Sequence, residues 1–119
     1  MKRDMDLIRQ ILLIVESDEH GYAPQKIEIS QYTQEQINYH AVLLGEAGLA
    51  EVIDVSSQDS KSPEALITRL TWEGHEFLDA ARENNRWNKA KDAIKKIGSA
   101  SLPIWNDVLA SLMKTAIGI

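Results

Sequence analysis

The sequence predicts an α+β fold in which two helices precede a β-hairpin and further helices follow it. Three observations lead to this prediction. Apolar residues recur at helical spacing near the start, two short apolar segments flank a polar loop rich in turn formers, and helical spacing returns over the last third of the chain. A length of 119 residues with 44% hydrophobic residues fits one domain with its own core.

The first predicted helix runs from Asp4 to about Ser17. Asp4 and Asp6 stand where negative charge favours a helix start, and the polar run SDEHGYAPQ ends the helix in a loop. A short strand, Lys26 to Ile29, is expected next. The helical face consists of Ile8, Ile11, Leu12 and Val15.

The second predicted helix covers Thr33 to Leu49. Thr33 with Gln36 three residues later forms the pattern of a capping box, and Gly48 stands where a left-handed residue would end the helix. Its inner face would carry Ile37, Ala41 and Leu44. This leaves the opposite side of the helix for contact with other molecules.

The predicted hairpin consists of strands Ala50 to Val55 and Ala65 to Thr71. The nine residues between them, SSQDSKSPE, are rich in turn formers and predict an exposed loop. The remaining chain predicts three helical segments. Thr71 caps the first, Asn84 and Asn85 interrupt the helical pattern before the second, and Ser101 with Pro103 begins the last.

Composition and charge limit the possible classes of function. The chain has no cysteine, which excludes disulfides and thiolate metal sites, and no window has the 18 or more apolar residues of a membrane span. We therefore expect a cytoplasmic protein with no membrane contact. Residues 1–80 contain 6 Lys/Arg and 15 Asp/Glu, whereas residues 81–119 contain 7 and 3. Such asymmetry is typical of a partner surface, of a nucleic-acid surface, or of two halves that dock.

Two motifs resemble those of winged-helix repressors. HAVLLGEAGL (His40 to Leu49) is similar to the exit of the recognition helix in the arsenic-responsive and multiple-antibiotic-resistance families. LTWEGHEFL (Leu70 to Leu78) resembles the step from their wing into a dimerisation helix. The resemblance implies a winged-helix-like core of helix, short strand, helix, two-stranded wing and helix, with additional C-terminal helices. We place this core at residues 1–83 and a C-terminal helical extension at 84–119, within one domain overall.

The whole chain also resembles an uncharacterised bacterial and phage family known only as a domain of unknown function. The likeness runs from MKRDMDLIRQIL through INYHAVLLGEAGLAE to RLTWEGHEFLDAAR. It implies the fold and a prophage setting, and no activity. One departure from DNA-reading winged helices concerns the helix that normally precedes the recognition helix. Only Ser30, Gln31 and Tyr32 separate the expected strand from Thr33, too few for that helix.

The outward face of the second helix is the candidate interaction face. It carries no Lys or Arg, the residues that supply most affinity for phosphates, and the loop adds only Lys61 against Asp59 and Glu64. Asn38 has the chemistry to read adenine, yet the charge disfavours DNA. We therefore expect that one face of this helix engages a protein partner or is vestigial for DNA. This face is formed by Glu35, Asn38, Tyr39, Val42 and Glu46.

An alternative nucleic-acid contact lies on the basic helix after residue 81. Four cations there fall on one helical stripe, which contacts phosphates or forms a solvated surface that balances the acidic half. This alternative makes the protein a transcriptional regulator that binds DNA through this stripe or through a surface created by a dimer. The stripe consists of Arg82, Arg86, Lys89 and Lys96.

The inventory of side chains argues against an enzyme. His75-Glu76 with Asp79 matches only the start of the zinc-protease helix, and no third ligand is indicated. His40 lies within the apolar exit of the second helix and is expected to be packed and hydrogen bonded. No nucleophile elbow or phosphate-binding glycine loop is present in the sequence. We expect no cofactor and no metal.

The last helix predicts association. Its apolar stripe is deep for a small domain that already has a core, so it either folds back on the first helix or pairs with a second copy. We expect a homodimer, in line with the terminal-helix dimers of the repressors that the chain resembles. The candidate interface consists of Trp105, Val108, Leu109, Leu112, Met113 and Ala116. The three tryptophans, at 72, 87 and 105, are expected at core or interface positions.

Overall fold

The computed structural model describes all 119 residues, Met1 to Ile119. It contains five helices and one two-stranded antiparallel sheet, so the predicted α+β class is confirmed and is compatible with a winged-helix-like core followed by C-terminal helices. In chain order the elements are α1 (Met5–Ser17), α2 (Gln34–Glu46), β1 (Ala50–Asp54), β2 (Ala65–Leu70), α3 (Trp72–Ala81), α4 (Asn84–Lys95) and α5 (Leu102–Ala116).

The chain forms two compact units, Met1–His75 and Glu76–Ile119, which we call the N-terminal unit and the C-terminal unit. The N-terminal unit holds α1, α2, both strands and the start of α3. The C-terminal unit holds the rest of α3 with α4 and α5. The division that the sequence suggests after residue 83 remains a prediction, because compact packing does not show which part folds alone.

Helix α1 begins at an aspartate and supplies much of the core of the N-terminal unit. Asp4 is its N-cap, and the Oδ1 atom accepts a hydrogen bond from the Leu7 amide at 3.1 Å. This bond satisfies one of the amides that every helix start leaves without a partner. The predicted apolar face is buried, with Leu7, Ile8, Ile11, Leu12 and Val15 all in the core.

Helix α2 has the caps that the sequence predicts. The Thr33 hydroxyl accepts from the Gln36 amide at 3.1 Å, and the Gln36 side chain accepts from the Thr33 amide at 2.8 Å. The helix ends at Glu46, three residues before the expected end, because Gly48 at φ +74° closes a Schellman motif. In that motif the Leu49 amide donates to the Leu44 carbonyl at 3.0 Å.

The predicted strand at Lys26 to Ile29 is wrong, because this segment pairs with no strand. One backbone hydrogen bond joins the preceding chain to the sheet, from the Ala23 amide to the Thr68 carbonyl at 2.8 Å. Beyond Ala23, no further backbone hydrogen bond joins this segment to the sheet. Ile27 is buried and anchors the segment by its side chain. No helix lies between α1 and α2, as the short spacing before Thr33 indicates.

The hairpin forms where it is expected, with each strand one residue shorter than predicted. Its register pairs Ala50 with Leu70 and Ile53 with Leu66, with an irregularity between Glu51 and Val52. The buried ends of the strands face the core, whereas Ile53 and Leu66 are 57% and 51% exposed. The sheet therefore keeps an apolar cross-strand pair at its surface.

Aromatic rings organise the interior of the C-terminal unit. Trp87 stacks on Trp105 with ring centres 4.8 Å apart and meets the edge of Phe77 at 6.3 Å. The burial of Trp87 and Trp105 matches the expected core positions, whereas Trp72 is 75% exposed. Glu83 caps α4, which begins at Asn84, so the asparagines start a new helix after the interruption.

The start of α3 approaches the chain after α2 so closely that only glycine fits. A Cβ atom on Gly74 would lie 2.0 Å from the Leu49 carbonyl oxygen. Thr71 holds this approach, because its amide donates to the Leu49 carbonyl and its hydroxyl donates to the Gly48 carbonyl. The two hydrogen bonds of Thr71 hold the end of β2 beside the chain that follows α2.

Replacement of Gly74 tests this close approach. Gly74→Ala should lower the free energy of unfolding by roughly 1–3 kcal/mol, because the new methyl group clashes with backbone that has little room to move. Gly21→Ala is the matched control, since a Cβ at Gly21 meets nothing within 4 Å. Urea denaturation of the two variants and the parent gives the comparison. Equal midpoints for Gly74→Ala and the parent would contradict the predicted clash.

Candidate functional site: the outer face of α2 and the wing loop

The inner side of α2 is fixed by a buried histidine. His40 is 1% exposed, and its Nδ1 atom lies 2.8 Å from the Gln36 carbonyl oxygen. The Nε2 atom accepts a hydrogen bond from the Asp4 amide at 2.9 Å. Because Nε2 is the acceptor, the hydrogen-bond network assigns the ring proton to Nδ1. His40 is therefore a packed, hydrogen-bonded residue, as the sequence predicts.

Asp4 links this histidine to the cap of α1 and to a tyrosine. The Tyr32 hydroxyl donates to Asp4 Oδ2 at 3.0 Å, while Asp4 Oδ1 caps the helix. Partial burial, followed by the hydrogen bond to Asp4 and the negative charges of Asp4 and Asp6, raises the pKa of Tyr32 to about 12. Three segments of the N-terminal unit thus meet at Asp4, two through its carboxylate and the third through its backbone amide.

The five residues of the candidate interaction face lie on the side of α2 away from Ile37 and Leu44. Glu35 and Glu46 are exposed at its two ends, and the residues between them are half-buried. Between Gln34 and Glu46 the helix contains no Lys or Arg. The half-buried members of the face are Asn38, Tyr39 and Val42.

The wing loop (residues 56–64) is fastened to this face by hydrogen bonds. Ser62 Oγ donates to a Glu35 carboxylate oxygen at 2.7 Å, and Asn38 Nδ2 donates to Glu64 Oε2 at 3.3 Å. Glu64 also accepts from the Ser60 hydroxyl at 2.8 Å. Asn38 is therefore already engaged on both sides, since its carbonyl oxygen accepts from Gln34 at 2.9 Å. Reading a base with Asn38 would require these bonds to open.

The face and the wing loop enclose a shallow cavity of about 300 Å³ between them. Its lining contains three carboxylates and one lysine, from Glu35, Asp59, Glu64 and Lys61. Beside it, hydrogen bonds from the backbone and then the side chain of Ser56 lower the pKa of Asp54, which keeps its carboxylate charged. The surface of α2 and the wing loop is thus acidic and continuous.

The basic stripe of the alternative prediction is divided by the structure. Arg86 is half-buried, and its guanidinium donates to the Ala80 carbonyl at 3.1 Å and to the Asp79 carbonyl at 3.4 Å. It thereby caps the end of α3. Arg82 pairs with the Asp79 carboxylate at 3.0 Å. Lys89 and Lys96 are exposed on α4.

The six residues of the candidate dimer interface have different environments in α5. Trp105 and Leu109 are buried, at 6% and 0% exposure. Ala116 is exposed. Two isoleucines near the ends of the helix, Ile104 and Ile117, are also exposed, at 42% and 71%. The homodimer stays a prediction, and any pairing has to use the outer residues of the helix. The half-buried members of the set are Val108, Leu112 and Met113.

The other singled-out residues lie at the surface. His75, Glu76 and Asp79 are exposed, as is His20 in the loop after α1. No group of three or more His, Asp or Glu side chains is arranged to hold a metal ion. No helix has the length and apolar character needed to cross a bilayer.

Several polar contacts that position these elements could not be predicted from the sequence. Asp4 and His40 are 36 residues apart, and no local spacing signals their hydrogen bond. Glu83 accepts from the Asn85 and Arg86 amides at 3.1 and 2.6 Å and so caps α4. No local signal identifies this cap, because glutamate is not among the preferred N-cap residues and the adjacent asparagines are.

Comparison with known proteins places the chain among relatives. The family model described as "Hypothetical protein (DUF2513)" matches residues 2–101. A Haemophilus influenzae protein with the printed name "Uncharacterized protein" is 41% identical over 119 residues, which is 98% of this chain and 96% of the relative. No solved structure matches the chain. The likeness to the two repressor families stays a prediction.

The contact between Tyr32 and Asp4 predicts a loss of stability at high pH. Because the pKa of Tyr32 rises from 10.0 to about 12 on folding, the unfolded chain ionises this phenol first as the pH increases. Its contribution is fully present below pH 10 and is lost as the pH rises towards 12.

Urea denaturation at about pH 9 and pH 11 measures this effect. The parent should lose more free energy of unfolding over this interval than Tyr32→Phe, which has no proton to release. Tyr22→Phe is the control, because Tyr22 is 72% exposed in a loop. If the free energy of unfolding changes equally with pH in the parent and in Tyr32→Phe, the pKa of Tyr32 is the same in the folded and unfolded chains, which contradicts the prediction.

Proposed function

The chain belongs to the hypothetical-protein family DUF2513, and we propose that its N-terminal unit is a non-enzymatic module that binds a basic surface of a partner protein. The outer face of α2, together with the wing loop, forms the binding surface. The observation that carries this proposal is the pair of contacts Ser62 to Glu35 and Asn38 to Glu64, which join helix and loop into one acidic surface.

Electrostatics favours a protein over DNA at this surface. Lys and Arg supply most of the affinity of a DNA-binding protein for phosphates, and here Glu35 and Glu46 would face the phosphates instead. A partner with exposed Lys or Arg gains from the same charges, since complementary potentials steer association and fix orientation. The acidic face therefore fits a basic protein surface.

Glu46 supports a role in binding because its position does not favour stability. It is the last residue of α2, where the partial negative charge of the helix end repels a carboxylate. A cation there would stabilise the helix by roughly 0.3–1 kcal/mol. A residue that costs stability at its position is expected where function requires it.

An exposed tryptophan lies near the same end of α2. Trp72 follows Thr71, whose hydroxyl donates to the Gly48 carbonyl in the cap of the helix. At 75% exposure its ring presents a large apolar area to solvent. Tryptophan is among the residues that most often supply binding energy at protein interfaces. The ring adds an apolar anchor beside the acidic face.

A second candidate function is DNA binding through α4. The observation that favours it is the exposure of Lys89 and Lys96, which are seven residues apart and so lie on one side of the helix. Arg82 and Arg86, which complete the predicted stripe, are bonded to α3. Because Arg86 is held by the α3 carbonyls, the stripe has three exposed cations, Arg82, Lys89 and Lys96, where the sequence predicts four.

Charge reversal at Glu46 tests the proposed function. Glu46→Lys and the control Glu19→Lys, which lies in the loop after α1, are expressed in the native host with the same affinity tag. A partner captured by the parent should be retained by Glu19→Lys and lost by Glu46→Lys, because only the latter changes the acidic face. Recapture at rising salt should weaken the interaction.

Thermal denaturation accompanies this test. Glu46→Lys should unfold at the parent temperature or slightly above it, because a cation suits the end of α2, so a lost partner cannot be attributed to misfolding. Equal capture of the partner by all three proteins would contradict the proposed surface. Loss of the partner with Glu19→Lys alone would place the contact elsewhere.

A further inference from the structure

A second feature of the N-terminal unit is an open groove of about 530 Å³ beside the sheet. Its walls are the segment 23–27, helix α2 and strand β2. The volume lies within the range of sites that bind small molecules or single peptide segments. The apolar residues of its lining include Ile27, Ile37, Ala41, Ile53, Leu66 and Ile67.

The groove follows a strand edge that the fold leaves open. β2 pairs with β1 on one side, and on its other side the single backbone hydrogen bond comes from Ala23 to Thr68. After Ala23 the chain makes no further backbone hydrogen bond to this edge, and no strand forms at Lys26 to Ile29. An edge with backbone donors and acceptors exposed is a template for another strand.

Side chains at the mouth of the groove fit the alternating side chains of an extended segment. Ile53 and Leu66 are cross-strand partners, and both are more than half exposed. The lining also includes Gln25 and Gln34, whose side-chain amides can donate and accept hydrogen bonds as a peptide backbone does. Side chains two residues apart on a strand point to the same side, so an apolar alternation would fill the groove.

Negative charges at one end of the groove favour basic residues beside the apolar part of such a segment. Asp54 follows Ile53, and Glu64 precedes Ala65, so two carboxylates mark the end nearest the wing loop. Lys26, the cation of the lining, is paired with Glu28 at 3.0 Å. The balance of charge favours a segment with Lys or Arg at the end nearest the wing loop.

We propose that this groove binds an extended apolar segment of a partner protein, flanked by basic residues, which adds a strand to the open edge of β2. The inference rests on the proposed function, because it identifies the kind of segment that the basic partner contributes. Main-chain hydrogen bonds to β2 would supply affinity, and the pockets beneath Ile53 and Leu66 would select the side chains.

Selection from a library of random peptides displayed on phage tests the groove without knowledge of the partner. The full chain is the target, and the enriched sequences are synthesised with a fluorescent label. They should alternate apolar and other residues, with Lys or Arg at one end, and should bind the parent in anisotropy titrations. Enrichment of no sequence, or of sequences without this alternation, would overturn the proposal.

Variants of the chain locate the bound peptide. Leu66→Lys should weaken binding at least tenfold, because it places a cation on the apolar wall. Ile117→Lys is the matched control, since Ile117 is an exposed aliphatic residue in the C-terminal unit. It should bind as the parent does. Equal affinity of Leu66→Lys and the parent would overturn the proposal.

Modified peptides test strand addition even if Leu66→Lys does not fold. N-methyl groups on one set of alternate peptide residues should abolish binding to the parent, and N-methyl groups on the other set should leave it intact. Equal effects of the two sets would overturn strand addition. Light scattering tests a different occupant. If the parent is a dimer and Leu66→Lys is a monomer, a second copy of the chain occupies the groove, and the proposal of a partner segment is overturned.

The outcomes also separate this proposal from the proposed function. If Glu46→Lys loses its partner but no peptide binds the groove, the groove proposal fails and the acidic face stands. If peptides bind but the partner is captured equally by Glu46→Lys and the parent, the groove stands as a separate site.

Discussion

The hydrogen bonds of His40 are the interaction on which the N-terminal unit depends. A ring that is 1% exposed connects the Gln36 carbonyl of α2 to the Asp4 amide at the start of α1. A buried polar group without such partners would cost roughly 1–3 kcal/mol, so the bonds restrict how the two helices can pack. Asp4 extends the link to Tyr32 through its carboxylate. Apolar burial supplies the core, and this polar contact sets the position of α2 within it.

The fixed position of α2 has consequences on its other side. The wing loop reaches the outer face through Ser62 and Glu64, and both contacts require α2 to stay where His40 holds it. The result is an acidic surface with its polar side chains already oriented towards one another. The open edge of β2 lies within the same unit, and the segment before α2 makes one backbone hydrogen bond to it, from Ala23. An order of elements that is compatible with a winged-helix-like core thus carries an acidic surface on α2 and the wing loop.

The parts of the fold that depend on neighbouring residues could be predicted from the sequence, as the capping box at Thr33 and the left-handed Gly48 show. The strand at Lys26 to Ile29 could not, because a strand requires a partner edge as well as an apolar alternation. The candidate face on α2 was identified from helical periodicity alone. Its hydrogen bonds to the wing loop join residues 26 and 27 positions apart, which periodicity does not register. Arg86 was assigned to a basic stripe because its charge is visible in the sequence, whereas its contacts with the α3 carbonyls are not.

We propose that the acidic face of α2 stands where a DNA-reading winged helix has its phosphate-binding surface. The most direct test is a titration of the full chain with random duplex DNA, followed by fluorescence anisotropy from low to physiological salt. We expect no binding through α2 even at low salt, because no cations face the DNA from this helix. Binding that is lost in Lys89→Glu with Lys96→Glu would be assigned to α4. Binding that persists in Lys89→Glu with Lys96→Glu, and whose affinity falls with salt at a log–log slope of several phosphate contacts, would contradict the proposal.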